Sequence, residues 1–72
     1  MIDCDVLKGR VIQSCTLYED GRDGPEISID FEDGTTFTVA LVSRQTLNGK
    51  LTQNDGGEPF LLKQYEALVS SR

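Results

Sequence analysis

Two neighbouring segments with large apolar side chains at alternate positions constrain the fold of this chain more than any other feature. In each segment every second residue is large and apolar. These residues are Ile27, Ile29 and Phe31 in residues 26–31, and Phe37, Val39 and Leu41 in residues 35–42. A period of two is typical of a β-strand with one buried face. The pattern therefore predicts two adjacent strands of a half-buried antiparallel sheet.

The length of the turn between these segments decides whether their apolar residues share a face. A two-residue turn at Asp33 and Gly34 would point the two apolar sets to opposite sides. A three-residue loop over 32–34 instead pairs Ile29 with Phe37 and puts all of them on one side. A one-residue slip in register would expose a whole face, and each large side chain exposed in this way costs about 1.5–3 kcal/mol. We therefore predict the three-residue loop, formed by a type I turn with a glycine bulge at Gly34.

A further strand is predicted over residues 10–18, which are rich in β-branched side chains. Both of its faces mix apolar and polar residues, so the sequence does not indicate which face points inward. Residues 2–8, which are followed by Gly9, are interpreted as a lead-in segment or a single helical turn.

A second hairpin is predicted from the dipeptide Asn48-Gly49, which lies between two leucines. This dipeptide is typical of a type I′ turn, in which both central residues have positive φ. The prediction makes residues 44–47 and 50–53 the two strands of a more polar hairpin.

The last segment, residues 59–70, has two interpretations. Its apolar residues recur at helical spacing, and Pro59 suits the first position of a helix. Glu58 and Arg72 suit the two ends of the helix dipole. We favour a C-terminal helix, and the alternative is a strand over residues 60–65. The apolar residues concerned are Leu61, Leu62, Tyr65, Leu68 and Val69.

Together these segments predict a single, mainly β (α+β) domain over residues 1–72. The expected architecture is an antiparallel meander of four or five strands, with a curl toward a small barrel as one option, and a C-terminal helix. A chain of 72 residues gains only about 3–5 kcal/mol from its core, which leaves room for self-association. The predicted core residues are Val11, Ile27, Ile29, Phe31, Phe37, Val39, Leu41, Leu62, Tyr65 and Leu68.

The acidic balance of the chain argues against two classes of partner. Twelve acidic and seven basic residues give a formal net charge of −5. Such a surface repels phosphate backbones and anionic membranes, and the basic residues form no run or stripe. We therefore expect neither nucleic acid nor a membrane as partner.

The cysteines and the apolar runs point to the cytoplasm. No basic-then-apolar leader is visible at the start of the sequence. The longest uninterrupted apolar run is the four residues 39–42, far short of a bilayer span. We expect a cytoplasmic protein with Cys4 and Cys15 reduced; a Cys4–Cys15 disulfide is the alternative.

The residue types present provide no recognisable catalytic set. The chain contains no histidine, which removes the commonest general base and metal ligand at neutral pH. Gly49-Lys50 is followed by Leu51 and does not complete a phosphate-binding loop, and the loop around Asp20 lacks the ligand spacing of an EF-hand. We predict no catalytic, cofactor-binding or metal-binding residue, and no enzyme.

Two functions remain open at the level of the sequence. The first is a small non-catalytic protein-interaction or regulatory module that binds a protein partner or a second copy of itself. The alternative is a domain that binds a cation or a small ligand with its acidic loops. The residues that would serve the alternative are Asp20, Asp23, Asp33 and Asp55.

Overall fold

Five β-strands form one antiparallel sheet in which each strand pairs with its neighbour in sequence. The structure, a computed structural model, describes residues 2–19, 24–43, 45–55 and 58–68. A 3₁₀ turn at Asp5–Leu7 precedes β1 (Ile12–Tyr18), β2 (Glu26–Phe31), β3 (Thr35–Ser43), β4 (Thr46–Asp55) and β5 (Glu58–Leu68). The predicted meander is confirmed. It is open rather than curled into a barrel, because β1 and β5 are the two edges of the sheet.

The β2–β3 hairpin has the predicted three-residue loop. Ile29 pairs with Phe37, and Ile27 pairs with Val39. Gly34 has a φ of +89°, and its N–H donates to the carbonyl of Phe31 at 3.3 Å. This left-handed conformation is one that glycine adopts without steric cost, and it completes the bulge that keeps both apolar sets on one face.

The predicted turn at Asn48-Gly49 is wrong. Both residues lie inside β4, where Asn48 is 6% exposed and Gly49 pairs with Val39 on one side and Tyr65 on the other. The two segments that flank the dipeptide are therefore parts of one strand. The close approach of Phe37 accounts for the glycine, because a Cβ at position 49 would lie 2.9 Å from the Cζ atom of Phe37.

The predicted C-terminal helix is also wrong. Residues 58–68 form β5, which pairs with β4 along its whole length, so the backbone groups on that side of β4 find partners. The register shifts at Leu62, where β5 has an extra residue. This bulge interrupts the alternation of apolar residues, and their remaining spacing imitates a helical period. Pro59 is compatible with the strand because β5 is an edge strand.

Three apolar side chains are buried among the described residues, namely Phe31, Phe37 and Leu51. Leu51 was not among the predicted core residues, because the expected hairpin placed it next to a turn. Of the predicted core, Ile29, Val39 and Tyr65 are partly buried against these three, and Leu41 is of intermediate exposure. The prediction is wrong for the residues that the structure exposes, which are Val11, Ile27, Leu62 and Leu68.

The segment before β1 covers part of the sheet. Cys4, Val6 and Leu7 pack against the three buried residues. Arg10 holds this segment to the β2–β3 loop, since its Nε donates to the carbonyl of Val6 at 2.8 Å and its Nη1 donates to Asp33. Cys4 and Cys15 are free thiols, so the alternative of a disulfide is wrong. In the described parts of the chain, no helix has the length and apolar character needed to cross a membrane.

Candidate interaction surface

One face of the sheet is mostly apolar across all five strands. The pairing registers place side chains from each strand on this face, and their pattern follows the predicted alternation of β2 and β3. The opposite face carries the intervening, mainly polar residues. The apolar residues on the first face include Cys15 and Leu17 of β1, Ile27, Ile29 and Phe31 of β2, Phe37, Val39 and Leu41 of β3, Leu47 and Leu51 of β4, and Tyr65 and Ala67 of β5.

The N-terminal segment packs on this face against Phe31, Phe37 and Leu51 and leaves Leu17, Ile27 and Leu47 exposed. The exposed part forms an open groove, and we call the residues that line it the apolar patch: Leu17, Pro25, Ile27, Val39, Leu41 and Leu47. Leu17 is 63% exposed, Ile27 38% and Leu47 37%. Monomeric soluble proteins rarely leave large apolar patches uncovered, and those that do use them for binding. The apolar patch is therefore the candidate functional site.

A second groove continues the apolar surface toward the N-terminal segment. It shares Val39 and Leu47 with the apolar patch. Ile2, which is 46% exposed, lies on its border, and Tyr65 stands within it with its ring edge-on to that of Phe37 at a centroid distance of 6.4 Å. The accessible apolar surface thus extends from β1 to β5.

The opposite face carries a hydrogen-bond network instead. Asp30 accepts from the hydroxyl of Ser14 at 3.0 Å and from the hydroxyl of Thr36 at 2.8 Å. The side-chain amide of Asn54 donates to the hydroxyl of Thr36 at 3.4 Å. Exposed apolar residues occur on this face too, such as Tyr18 at 49% and Leu61 at 48%, but each pairs with a polar residue, Glu26 and Thr52 respectively. In the apolar patch, by contrast, Leu17 pairs with Ile27 and Leu41 pairs with Leu47.

The two edges of the sheet differ in their protection against added strands. β5 carries Pro59, the bulge at Leu62 and the charged Lys63, and these are devices that discourage edge-to-edge pairing. β1 contains no charged residue and no proline, although it has a bulge at Gln13. β1 is therefore the less protected edge.

The structure assigns a structural role to Asp33, one of the acidic residues considered for cation binding. The Thr35 hydroxyl and backbone N–H both donate to Asp33 Oδ1, and Arg10 donates to its other oxygen. The hydrogen bonds from Thr35, followed by the Arg10 guanidinium, hold the pKa of Asp33 below its usual value of 3.8. Asp33 therefore acts as an anion that closes the β2–β3 loop and anchors Arg10.

Replacing Asp33 with asparagine is expected to weaken the fold at neutral pH. Because the pKa of Asp33 is lowered in the folded state, the stability it contributes is present above pH 3.8 and is lost as the pH falls below that value. Urea unfolding of the wild type and Asp33→Asn should therefore differ at pH 7 and converge in acid. Glu32→Gln, an equal charge change in the same exposed loop, is the control and should not reproduce this convergence.

The remaining acidic residues considered for a cation do not form a described site. Asp20 and Asp23 lie outside the described residues, as does the side chain of Asp55. Within residues 2–19, 24–43, 45–55 and 58–68, no group of three or more potential ligands lies close enough together to hold a metal ion.

Comparison of the chain with models of known protein families, with curated proteins and with solved structures gives no significant match. The architecture defines the class: an open, five-stranded antiparallel β-meander with one partly uncovered apolar face. Leu17, Pro25 and Leu47 of the apolar patch could not be recognised from the sequence, since isolated apolar residues occur on most surfaces. Ile27, Val39 and Leu41 were predicted as core residues, and the structure places them on the apolar face, where Ile27 is 38% exposed.

Proposed function

We propose that this chain is a small, non-catalytic protein-interaction module that binds its partner through the apolar patch. The observation that carries the proposal is the exposure of large apolar side chains side by side on neighbouring strands, with Leu17, Ile27 and Leu47 all more than one-third exposed. Burying apolar surface stabilises a complex by roughly 25 cal/mol per Å² before the costs of association. A protein partner supplies a surface of the size and chemistry needed to cover such a patch.

The charge and thiol chemistry support this proposal over other partners. A net charge of −5 disfavours nucleic acid and anionic membranes, whereas the residues of the apolar patch are themselves uncharged. The free thiols of Cys4 and Cys15 are compatible with a reducing compartment, and we propose that the interaction takes place in the cytoplasm.

Site-specific photo-crosslinking in the native cells tests the proposal. A benzophenone amino acid at Leu17 places the probe in the apolar patch, and the same amino acid at Tyr18 is the matched control. Tyr18 is the next residue in β1, is 49% exposed and pairs with Glu26 on the opposite face. We expect a crosslinked protein adduct from position 17 and little or none from position 18.

A charge introduced elsewhere in the apolar patch shows whether the adduct depends on this surface. Leu47→Lys should abolish the adduct formed from position 17, because the lysine ammonium would have to be desolvated in the complex. The absence of an adduct at position 17, equal adducts at both positions, or an adduct unaffected by Leu47→Lys would each contradict the proposal.

A further inference from the structure

We infer that the partner on the apolar patch is a second copy of this chain, which packs its own apolar patch face to face against the first. This inference rests on the proposed function and names its partner.

The exposed area of the chain is larger than that of a compact monomer. The accessible surface is 5666 Å², whereas a compact monomer of this mass exposes about 4,450 Å². The radius of gyration is 12.6 Å, compared with about 11 Å expected for this length. The excess surface of about 1,200 Å² exceeds the roughly 800 Å² that each partner buries in an interface of standard size. Part of this excess comes from the open sheet, in which Leu17, Ile27 and Leu47 lie exposed on the face that a dimer would bury.

Among the described residues, no second layer lies over Leu17, Ile27 and Leu47 of the sheet, which are exposed. Stable domains bury the apolar face of a sheet against a second layer, and here the only cover in the described residues is the N-terminal segment with Cys4, Val6 and Leu7. Two sheets that pack face to face interdigitate their side chains at a separation of about 10 Å. A second copy provides such a layer with apolar side chains of matching type, and it is available wherever the chain itself is made.

The charge distribution makes the apolar patch self-complementary. A two-fold interface places the same surface of both copies in contact. A charged residue in that surface would therefore lie close to the same charge on the other copy. Two chains with a net charge of −5 each repel one another, but none of the described residues that line the apolar patch carries charge. Edge-to-edge pairing through β1 is the competing arrangement. Edge-to-edge pairing would leave the apolar patch exposed, whereas the face-to-face arrangement buries it.

The first experiment measures the mass of the purified 72-residue chain by sedimentation equilibrium, from low micromolar to millimolar concentration. We expect a monomer–dimer equilibrium for the wild type. Leu17→Lys is expected to raise the dissociation constant by about 30-fold or more, as for an interface residue of large effect. Thr16→Lys, an equal charge change at the adjacent exposed position on the opposite face, should leave the dissociation constant within a few-fold of the wild type.

A second measurement does not depend on any variant remaining folded. In a mixture of isotope-labelled and unlabelled wild-type chains, intermolecular NOEs should connect the methyl groups of Leu17, Ile27 and Leu47 of one copy with the apolar patch of the other. A wild type that stays monomeric throughout the concentration range overturns the inference. A dimer whose intermolecular NOEs come only from the outer edge of β1 or β5 also overturns it.

The two proposals fail in distinguishable ways. If the wild type is monomeric but position 17 still crosslinks to a different protein in cells, the interaction function stands and the second copy is excluded as partner. If the adduct from position 17 has the mass of two copies of this chain and is lost in Leu47→Lys, both proposals are supported.

Discussion

Leu51→Ala is expected to lower the free energy of unfolding by about 2–5 kcal/mol. Leu51 is 0% exposed and lies in β4 between Phe37 of β3 and Lys63 of β5. It belongs to the buried cluster against which Cys4, Val6 and Leu7 of the N-terminal segment pack. Truncating its side chain therefore leaves a cavity between the sheet and that segment. Because a chain of this size gains only about 3–5 kcal/mol from its core, the loss amounts to most of its stability.

Urea unfolding followed by far-ultraviolet circular dichroism measures this effect, at one fixed protein concentration because self-association adds to apparent stability. Leu68→Ala is the matched control, since it removes the same atoms from a side chain that is 84% exposed. The control should change the stability by no more than about 0.5 kcal/mol. Equal losses in the two variants would contradict the position of Leu51 at the centre of the core.

Gly49→Ala is expected to destabilise the fold by about 1–3 kcal/mol through overpacking. In most strands the same change is favourable, because alanine loses less conformational freedom than glycine on folding. Here the new Cβ would lie 2.9 Å from the Cζ atom of Phe37. The ring of Phe37 is 5% exposed and rests edge-on against Tyr65, so it has little space into which it can move.

A double-mutant cycle with Phe37→Leu isolates this contact. The shorter leucine side chain lacks the ring atom that meets position 49, so Gly49→Ala should become neutral or slightly stabilising in that background. Urea unfolding of the four proteins gives the coupling free energy. If Gly49→Ala costs the same with phenylalanine and with leucine at position 37, the proposed steric contact is not the reason for glycine in β4.

The parts of the fold that could be predicted from the sequence depend on local information. The β2–β3 hairpin follows from the alternation of its apolar residues, which excludes a two-residue turn at Asp33 and Gly34 and requires the three-residue loop over 32–34. The dipeptide Asn48-Gly49 has an equally strong local preference for a turn. That preference is overridden because Gly49 provides the space under Phe37, a contact with a residue that is distant in sequence.

The C-terminal segment shows why the candidate site could not be predicted. A helix over residues 59–70 would have been free to fold back and cover the apolar face as a second layer. Because residues 58–68 extend the sheet as β5, they add area to the first layer and leave Ile27 and Leu47 exposed. The sequence of β2 and β3 indicates which of their residues share a face. Whether a second layer covers that face depends on whether residues 58–68 form a helix or a strand, and the bulge at Leu62 hides the alternation that would have indicated a strand.

The sequential order of the strands also has a consequence for how the chain folds. Since each strand pairs only with the strand before or after it, every pairing step closes a short loop and loses little chain entropy. Among β-proteins, such low contact order favours fast folding. Fast folding shortens the time during which unpaired strands are open to aggregation. Rapid folding of this kind suits a chain whose finished sheet still presents Leu17, Ile27 and Leu47 to its surroundings.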